Sequence, residues 1–169
     1  MKEEKTIESK QIYEGRIVNL RVDTVSLPDG RTKLREIVVH PGAAAIVPLM
    51  NEEVLLVEQY RKAVDSPTLE IPAGTIEEGE SPEECAKREL IEETGFQASK
   101  LDKLIEYYPS PGFSSEMIHV FKASGLKKVS DAEAELSITF VRLEELLAMI
   151  KRGEIKDSKT VIGVLMVTR

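Results

Sequence analysis

Between Gly74 and Phe96 the chain reads GTIEEGESPEECAKRELIEETGF. Ser81-Pro82-Glu83-Glu84 sets an N-cap serine, a proline at the first helical position and a glutamate at the third, the pattern of a capping box. Gly95 stands where a left-handed C′ residue ends a helix. The spacing predicts one helix from about Pro82 to Thr94. Cys85, Ala86 and Leu90 form its apolar side, and Cys85 reads as a small buried hydrophobe rather than a nucleophile.

The charges on this helix are oddly placed. Glu89, Glu92 and Glu93 crowd its C-terminal half, where the helix dipole disfavours anions. Glu89 and Glu93 are one turn apart on one face, and like charges so spaced cost about 0.2–0.5 kcal/mol per pair. Arg88 reaches Glu92 at i+4 and offsets part of this. A hard cation would resolve the rest, since Mg²⁺ prefers oxygen, takes one or two carboxylates and keeps waters or phosphate oxygens elsewhere. Charge alone fits a solvated acidic face as well.

Working outward, Leu69–Pro72 reads as a short extended piece before the helix. Ala43–Leu49 and Val54–Tyr60 read as buried strands joined at Asn51-Glu52, and His40-Pro41-Gly42 marks a boundary ahead of them. Residues 11–40 read as a β-meander with a Pro28-Asp29-Gly30 turn, rich in edges that must pair with something. Leu101–Tyr108, Met117–Ala123 and Ile138–Val141 read as further strands. Leu143–Arg152 has helical spacing and a Gly153 stop. Ser158–Val167 is open between helix and strand, because Val161-Ile162-Gly163-Val164 suits both. Strands and helices mix without strict βαβ alternation, so the class is α+β with a mixed sheet between helices.

The 169 residues suit about one domain. A hydrophobic share of 41% is enough for a core. Thirty acids against 23 bases give −7, so nucleic acid is not expected as a partner. One cysteine excludes an internal disulfide. MKEEKTIESK holds no apolar signal region, and no apolar run approaches the roughly 18 residues of a membrane span, so a soluble cytoplasmic protein without membrane partners is expected. His40 and His119 are isolated and are given no role.

The 74–96 stretch resembles the Nudix box, G-x5-E-x7-R-E-U-x-E-E-x-G-U with U apolar. Gly74, Glu80, Arg88, Glu89, Leu90, Glu92, Glu93, Gly95 and Phe96 all match. At ordinary residue frequencies such a match arises by chance roughly once in ten million. The resemblance implies an α/β/α sandwich with a mixed sheet over residues 41–169, preceded by a small antiparallel sheet over 1–40 that dimerises about a two-fold axis. It implies hydrolysis of a nucleoside diphosphate linked to another group, with Mg²⁺, or Mn²⁺ in its place.

Residue by residue, the likeness assigns metal binding to Glu89, Glu93 and the carbonyl of Ala73, with Arg88 and Glu92 orienting and neutralising them. A late acidic loop, Asp131-Ala132-Glu133-Ala134-Glu135, would bring Glu133 as general base and Glu135 as a further metal ligand, with Asp131 open as an alternative register. Pro111 lies 16 residues past Gly95, as in members that cleave ADP-ribose. Pro111, Gly112 and Glu116 would then contact substrate, Glu116 through ribose hydroxyls. Arg35 and Arg61 match phosphate-binding arginines. The implied reaction converts ADP-ribose to AMP and ribose 5-phosphate. Another nucleoside diphosphate sugar such as GDP-mannose, or a nucleotide-sensing module without catalysis, stands as the alternative.

Overall fold

A computed structural model describes residues 3–133 and 136–168. They form two compact units, Met1–Gly42 with Tyr108–Met117, and Ala43–Tyr107 with Ile118–Arg169.

The first unit carries an antiparallel sheet in the order β1 (Lys5–Glu14), β2 (Asn19–Ser26), β3 (Thr32–Val39). The meander therefore starts earlier than residue 11. Every residue of β1 is exposed, so no alternation of apolar residues marks its beginning. The Pro28-Asp29-Gly30 turn forms as read, with Gly30 at φ 85° and its N–H bonded to the Leu27 carbonyl at 2.9 Å. The 108–117 segment joins β3 through Val38 N–H to the Phe113 carbonyl and Ser115 N–H to the Val38 carbonyl.

The second unit is a mixed sheet. It contains β4 (Ala43–Met50), β5 (Glu53–Arg61), β6 (Ser66–Glu70), β7 (Ala73–Thr75), β8 (Phe96–Tyr107), β9 (Ile118–Lys128) and β10 (Ser137–Arg142). The main order is β10-β5-β4-β9-β8, with β6 beside β5 and β7 beside β4. Only the β4–β9 pair is parallel among these described strands. The β4–β5 hairpin turns at Asn51 and Glu52, both at positive φ, as a two-residue turn of that hand requires.

Alternation along β4 builds two cores. Ala44 and Ile46 face α1 (Pro82–Thr94), packing with Cys85, Ala86, Leu90, Phe121 and Ala123. Ala45 and Val47 face the opposite way, toward Leu146 of α2 (Leu143–Arg152) and Val164 of α3 (Ser158–Val167). The result is helix, sheet, helix in three layers. Leu90 is about 1% exposed, and removing such a side chain to the β-carbon typically costs about 2–5 kcal/mol.

The open question at 158–167 resolves as helix. Asp157 caps it by accepting from Thr160 N–H at 3.0 Å, which outweighs the β-branched run that follows. Gly163 lets this helix close on the sheet: a Cβ there would stand 2.8 Å from Val47 Cγ2. β8 begins at Phe96 rather than Leu101, directly after the α1 cap. Its first residues, Gln97 to Lys100, are too polar to announce a strand.

Candidate active site

The acidic end of α1 meets the β6–β7 segment. The capping box holds the helix start, with Glu84 N–H on Ser81 Oγ at 3.3 Å and Ser81 N–H on Glu84 Oε2 at 2.9 Å. Gly95 closes it at φ 75°, its N–H on the Ile91 carbonyl. These two ends fix the register that aims Glu89 and Glu93 inward and leaves Glu92 exposed.

Glu93 Oε2 accepts the Ala73 N–H at 3.0 Å, tying helix to strand. Burial pushes the Glu93 carboxyl up to about 7, helped by the charges of Glu89 and Glu133 and opposed by the Ala73 N–H and Lys159. The Glu89 carboxyl is also raised, first by burial and then by Glu92 and Glu133, against the pull of Arg88. Gly74 gives Glu89 its space: a Cβ at 74 would fall 1.8 Å from that carboxyl group.

Arg88 is the hub. Its Nε and Nη2 bind the two oxygens of Glu80, each at 2.9 Å. Its Nη1 donates to Glu89 at 2.6 Å and Glu92 at 3.0 Å, and Nη2 also reaches the Thr75 carbonyl at 3.1 Å. The Arg88 fork draws the Glu80 carboxyl down to about 2. One guanidinium does not balance Glu80, Glu89, Glu92, Glu93 and Glu133, so the site carries surplus negative charge. Glu133 is exposed, and its own N–H donates to the Glu92 carbonyl at 3.1 Å, which docks the late acidic loop on the helix end.

Two raised carboxyls, a glycine cradle and surplus negative charge fit a divalent cation. Among the described residues no three His, Cys, Asp or Glu side chains gather closely enough to hold an ion by themselves. A divalent ion held by Glu89 and Glu93 would take its remaining positions from waters or phosphate oxygens. Glu135 lies outside the described residues. Cys85 is fully buried, with Sγ directed at the carbonyls of Gly74 and Thr75, and burial raises its thiol to about 12. It is packing, as read.

Arg61 lies in the same unit, on β5. Its Nε and Nη2 bind Glu70 at 2.8 and 2.7 Å. Glu70 is 2% exposed and also receives Lys159 Nζ and Thr68 Oγ1. Burial works against the Glu70 anion, but Arg61, Lys159 and Thr68 outweigh it and hold the carboxyl near 2. The capping Asp157 touches Lys159 Nζ at 3.0 Å, and Thr160 Oγ1 accepts the Ile71 N–H at 2.9 Å. Sequence reading missed this network. An acid set between Leu69 and Ile71 was its visible sign.

The other expected residues lie in the first unit. Arg35 pairs with Glu4 through Nε at 2.9 Å and Nη2 at 2.6 Å. Pro111 and Gly112 form an exposed turn closed by Phe113 N–H on the Ser110 carbonyl at 3.2 Å. Glu116 stands 3.9 Å from His40 Nδ1 and its N–H donates to Ser114 Oγ.

A family model for the NUDIX domain matches residues 39–162, and one for the nucleoside diphosphate sugar hydrolase N-terminal domain matches residues 4–38. The chain belongs to the Nudix family. It is 48% identical to a methanol dehydrogenase activator of Bacillus methanolicus, over 96% of this chain and 91% of that one. It is 42% identical to an ADP-ribose pyrophosphatase of Bacillus subtilis (strain 168), over the same shares. A solved structure of an ADP compounds hydrolase superimposes with a TM-score of 0.89 over 99% of this chain and 94% of that one. At 22% identity that likeness speaks to the fold.

Proposed function

We propose that this chain hydrolyses the diphosphate of ADP-ribose, adding water across it to release AMP and ribose 5-phosphate, with Mg²⁺ or Mn²⁺ as cofactor. The observation that carries the reading is the convergence of Glu89, Glu93 and Ala73 over Gly74, inside a box with all nine specified positions filled. The near full-length likeness to an ADP-ribose pyrophosphatase supports the substrate.

A bound divalent ion would withdraw charge from the diphosphate and acidify water. Glu89, Glu93, the Ala73 carbonyl and Glu135 would hold it. Arg88 keeps Glu89 oriented and partly neutralised, and Glu92 fixes Arg88 by accepting from the same nitrogen. Glu133 accepts the proton of the attacking water. Arg61 and Arg35 bind phosphate oxygens, a task that suits planar guanidinium forks. Glu116 accepts ribose hydroxyls beside the Pro111-Gly112 turn.

Residues 41–169 act as the hydrolase domain, and residues 1–40 as a dimerisation sheet. Ile7, Ile12, Tyr13, Ile17, Val18 and Leu34 are all exposed there, and apolar surface of that kind marks an association face. A cytoplasmic homodimer is the assembly proposed.

The test is product analysis after incubation with ADP-ribose, GDP-mannose or NADH in Mg²⁺ and labelled water. ADP-ribose is expected to give AMP and ribose 5-phosphate at the highest kcat/KM. A chain that leaves it intact does not have this function. The 48% relative favours one second reading, activation of a methanol dehydrogenase. A dehydrogenase assay with and without wild-type chain, and with an E89Q chain, separates the two.

A further inference from the structure

The proposed reaction gives no task to Glu70 or Lys159, yet the fold withdraws both from water: their side chains are 3% and 12% exposed. Burying an ion pair is weak support for stability, because apolar residues in such places often do as well or better. The arrangement around the pair points to another use.

Glu70 grips Arg61 as a two-pronged fork, which fixes the guanidinium plane. The Arg61 side chain is still 44% exposed. Among the described residues its Nη1 has no partner, and Arg61 lines an open cleft of about 680 Å³ with Lys156 and Lys159 and with the acids Glu70, Asp157 and Glu154, the last of them held by Arg152. An anion arriving at that edge meets Arg61 and also feels the carboxylate behind it. Alone, the Arg61–Glu70 pair is neutral and attracts little. Lys159 Nζ, on Glu70 Oε2, cancels that carboxylate. Asp157, its other contact at 3.0 Å, is committed to the N-terminus of α3, whose dipole offsets it. The cleft is tied to the acidic helix through the chain itself: Glu70 ends β6 three residues before Ala73, whose N–H is held by Glu93 at 3.0 Å.

We infer that Glu70 and Lys159 are positioning residues for the diphosphate: Glu70 sets the Arg61 fork, and Lys159 neutralises Glu70 so that Arg61 presents its charge to the substrate. The inference rests on the reading above in taking a nucleoside diphosphate sugar as ligand.

Binding of ADP-ribose in EDTA, where turnover is absent, tests it by calorimetry on wild type, K159M, K159R and the double variant E70Q/K159M, with thermal melts alongside. K159M is expected to weaken binding about tenfold. K159R recovers most of the affinity lost in K159M, because the positive charge beside Glu70 is retained. E70Q/K159M binds more tightly than K159M, because the uncancelled carboxylate is gone. A purely structural Lys159 would lower the melting point without this recovery. In Mg²⁺, K159M raises KM more than it lowers kcat. Wild-type affinity in K159M, or no recovery in the double variant, overturns the inference. Should the wild type cleave GDP-mannose and not ADP-ribose, the substrate reading fails and the same four proteins measured with GDP-mannose decide the inference. Failure of wild type to bind either nucleotide in EDTA overturns the inference alone, and product analysis in Mg²⁺ decides the function separately.

Discussion

Gly74 lies directly beneath the carboxyl group of Glu89: a Cβ on residue 74 would stand 1.8 Å from Oε1 and 1.9 Å from the carboxyl carbon. The obstacle is the free end of a side chain, so G74A is relieved by Glu89 swinging away and not by unfolding. Displacing a reacting group by about 1 Å can cost on the order of 100-fold in rate. G74A is therefore expected to melt close to wild type while kcat for ADP-ribose falls by about that factor. Wild-type turnover in G74A would show that the Glu89 position does not matter.

Glutamine at 89 or 93 keeps shape and removes the anion. Loss of one carboxylate toward a divalent ion forfeits several kcal/mol of charge stabilisation, so E89Q and E93Q should each lose about three orders of magnitude in kcat. Both should stay folded, because the side-chain amide oxygen that E93Q introduces can still accept the Ala73 N–H. Circular dichroism and steady-state kinetics in saturating Mg²⁺ check this. Full activity in both would remove the metal-binding role assigned to the helix.

Glu133 reaches the site by a different route, through its backbone N–H on the Glu92 carbonyl. That bond survives a side-chain change. E133Q should therefore lower kcat about 100- to 1000-fold, the range of a general base, while the Mg²⁺ concentration for half activity moves little. If metal affinity falls with turnover, Glu133 is a ligand rather than the base. If turnover holds, Asp131 is next to examine.

What was legible in the sequence follows from how local each signal is. The ends of α1 are set by a capping box and a left-handed glycine, both within reach of their own helix, and were read to the residue. β4 was visible as an apolar run over Ala43–Leu49, but which of its side chains faces which core was not. The start of β1 was not, because an exposed strand has no apolar rhythm. The helix at 158–167 hung on one cap, Asp157, against a β-branched run. The Glu70–Lys159 contact joins residues 89 apart in the chain, and only the packing of α3 on the sheet creates it.

Gly95 makes the next prediction. It sits at φ 75°, and a Cβ there would meet the Ser130 backbone carbonyl oxygen at 2.3 Å. Backbone cannot rotate aside as a side chain does. Alanine adds a left-handed strain of about 1 kcal/mol or more. G95A should therefore destabilise by roughly 2–3 kcal/mol and displace the 130–133 loop that carries Glu133. Urea unfolding and kcat should both suffer, unlike G74A. A stable G95A with normal turnover would mean that the loop does not depend on this close approach.

Acid should expose the Glu70 network. Its carboxyl sits near 2 in the fold against an ordinary 4.5, so the native state holds fewer protons than the unfolded chain as pH falls. Stability from this group is complete above about pH 5 and drains away toward pH 2. The shift corresponds to roughly 3 kcal/mol, reduced to about 2 because half-exposed Arg61 is screened by water. Urea unfolding of wild type and E70Q at pH 7, 5, 4 and 3 isolates the term, since the other carboxylates titrate alike in both. E70Q should be less stable by about 2 kcal/mol at pH 7, and the gap should narrow steadily toward pH 3. A gap that keeps its size across that range would mean the buried carboxylate owes its stabilising effect to shape rather than to the charges of Arg61 and Lys159.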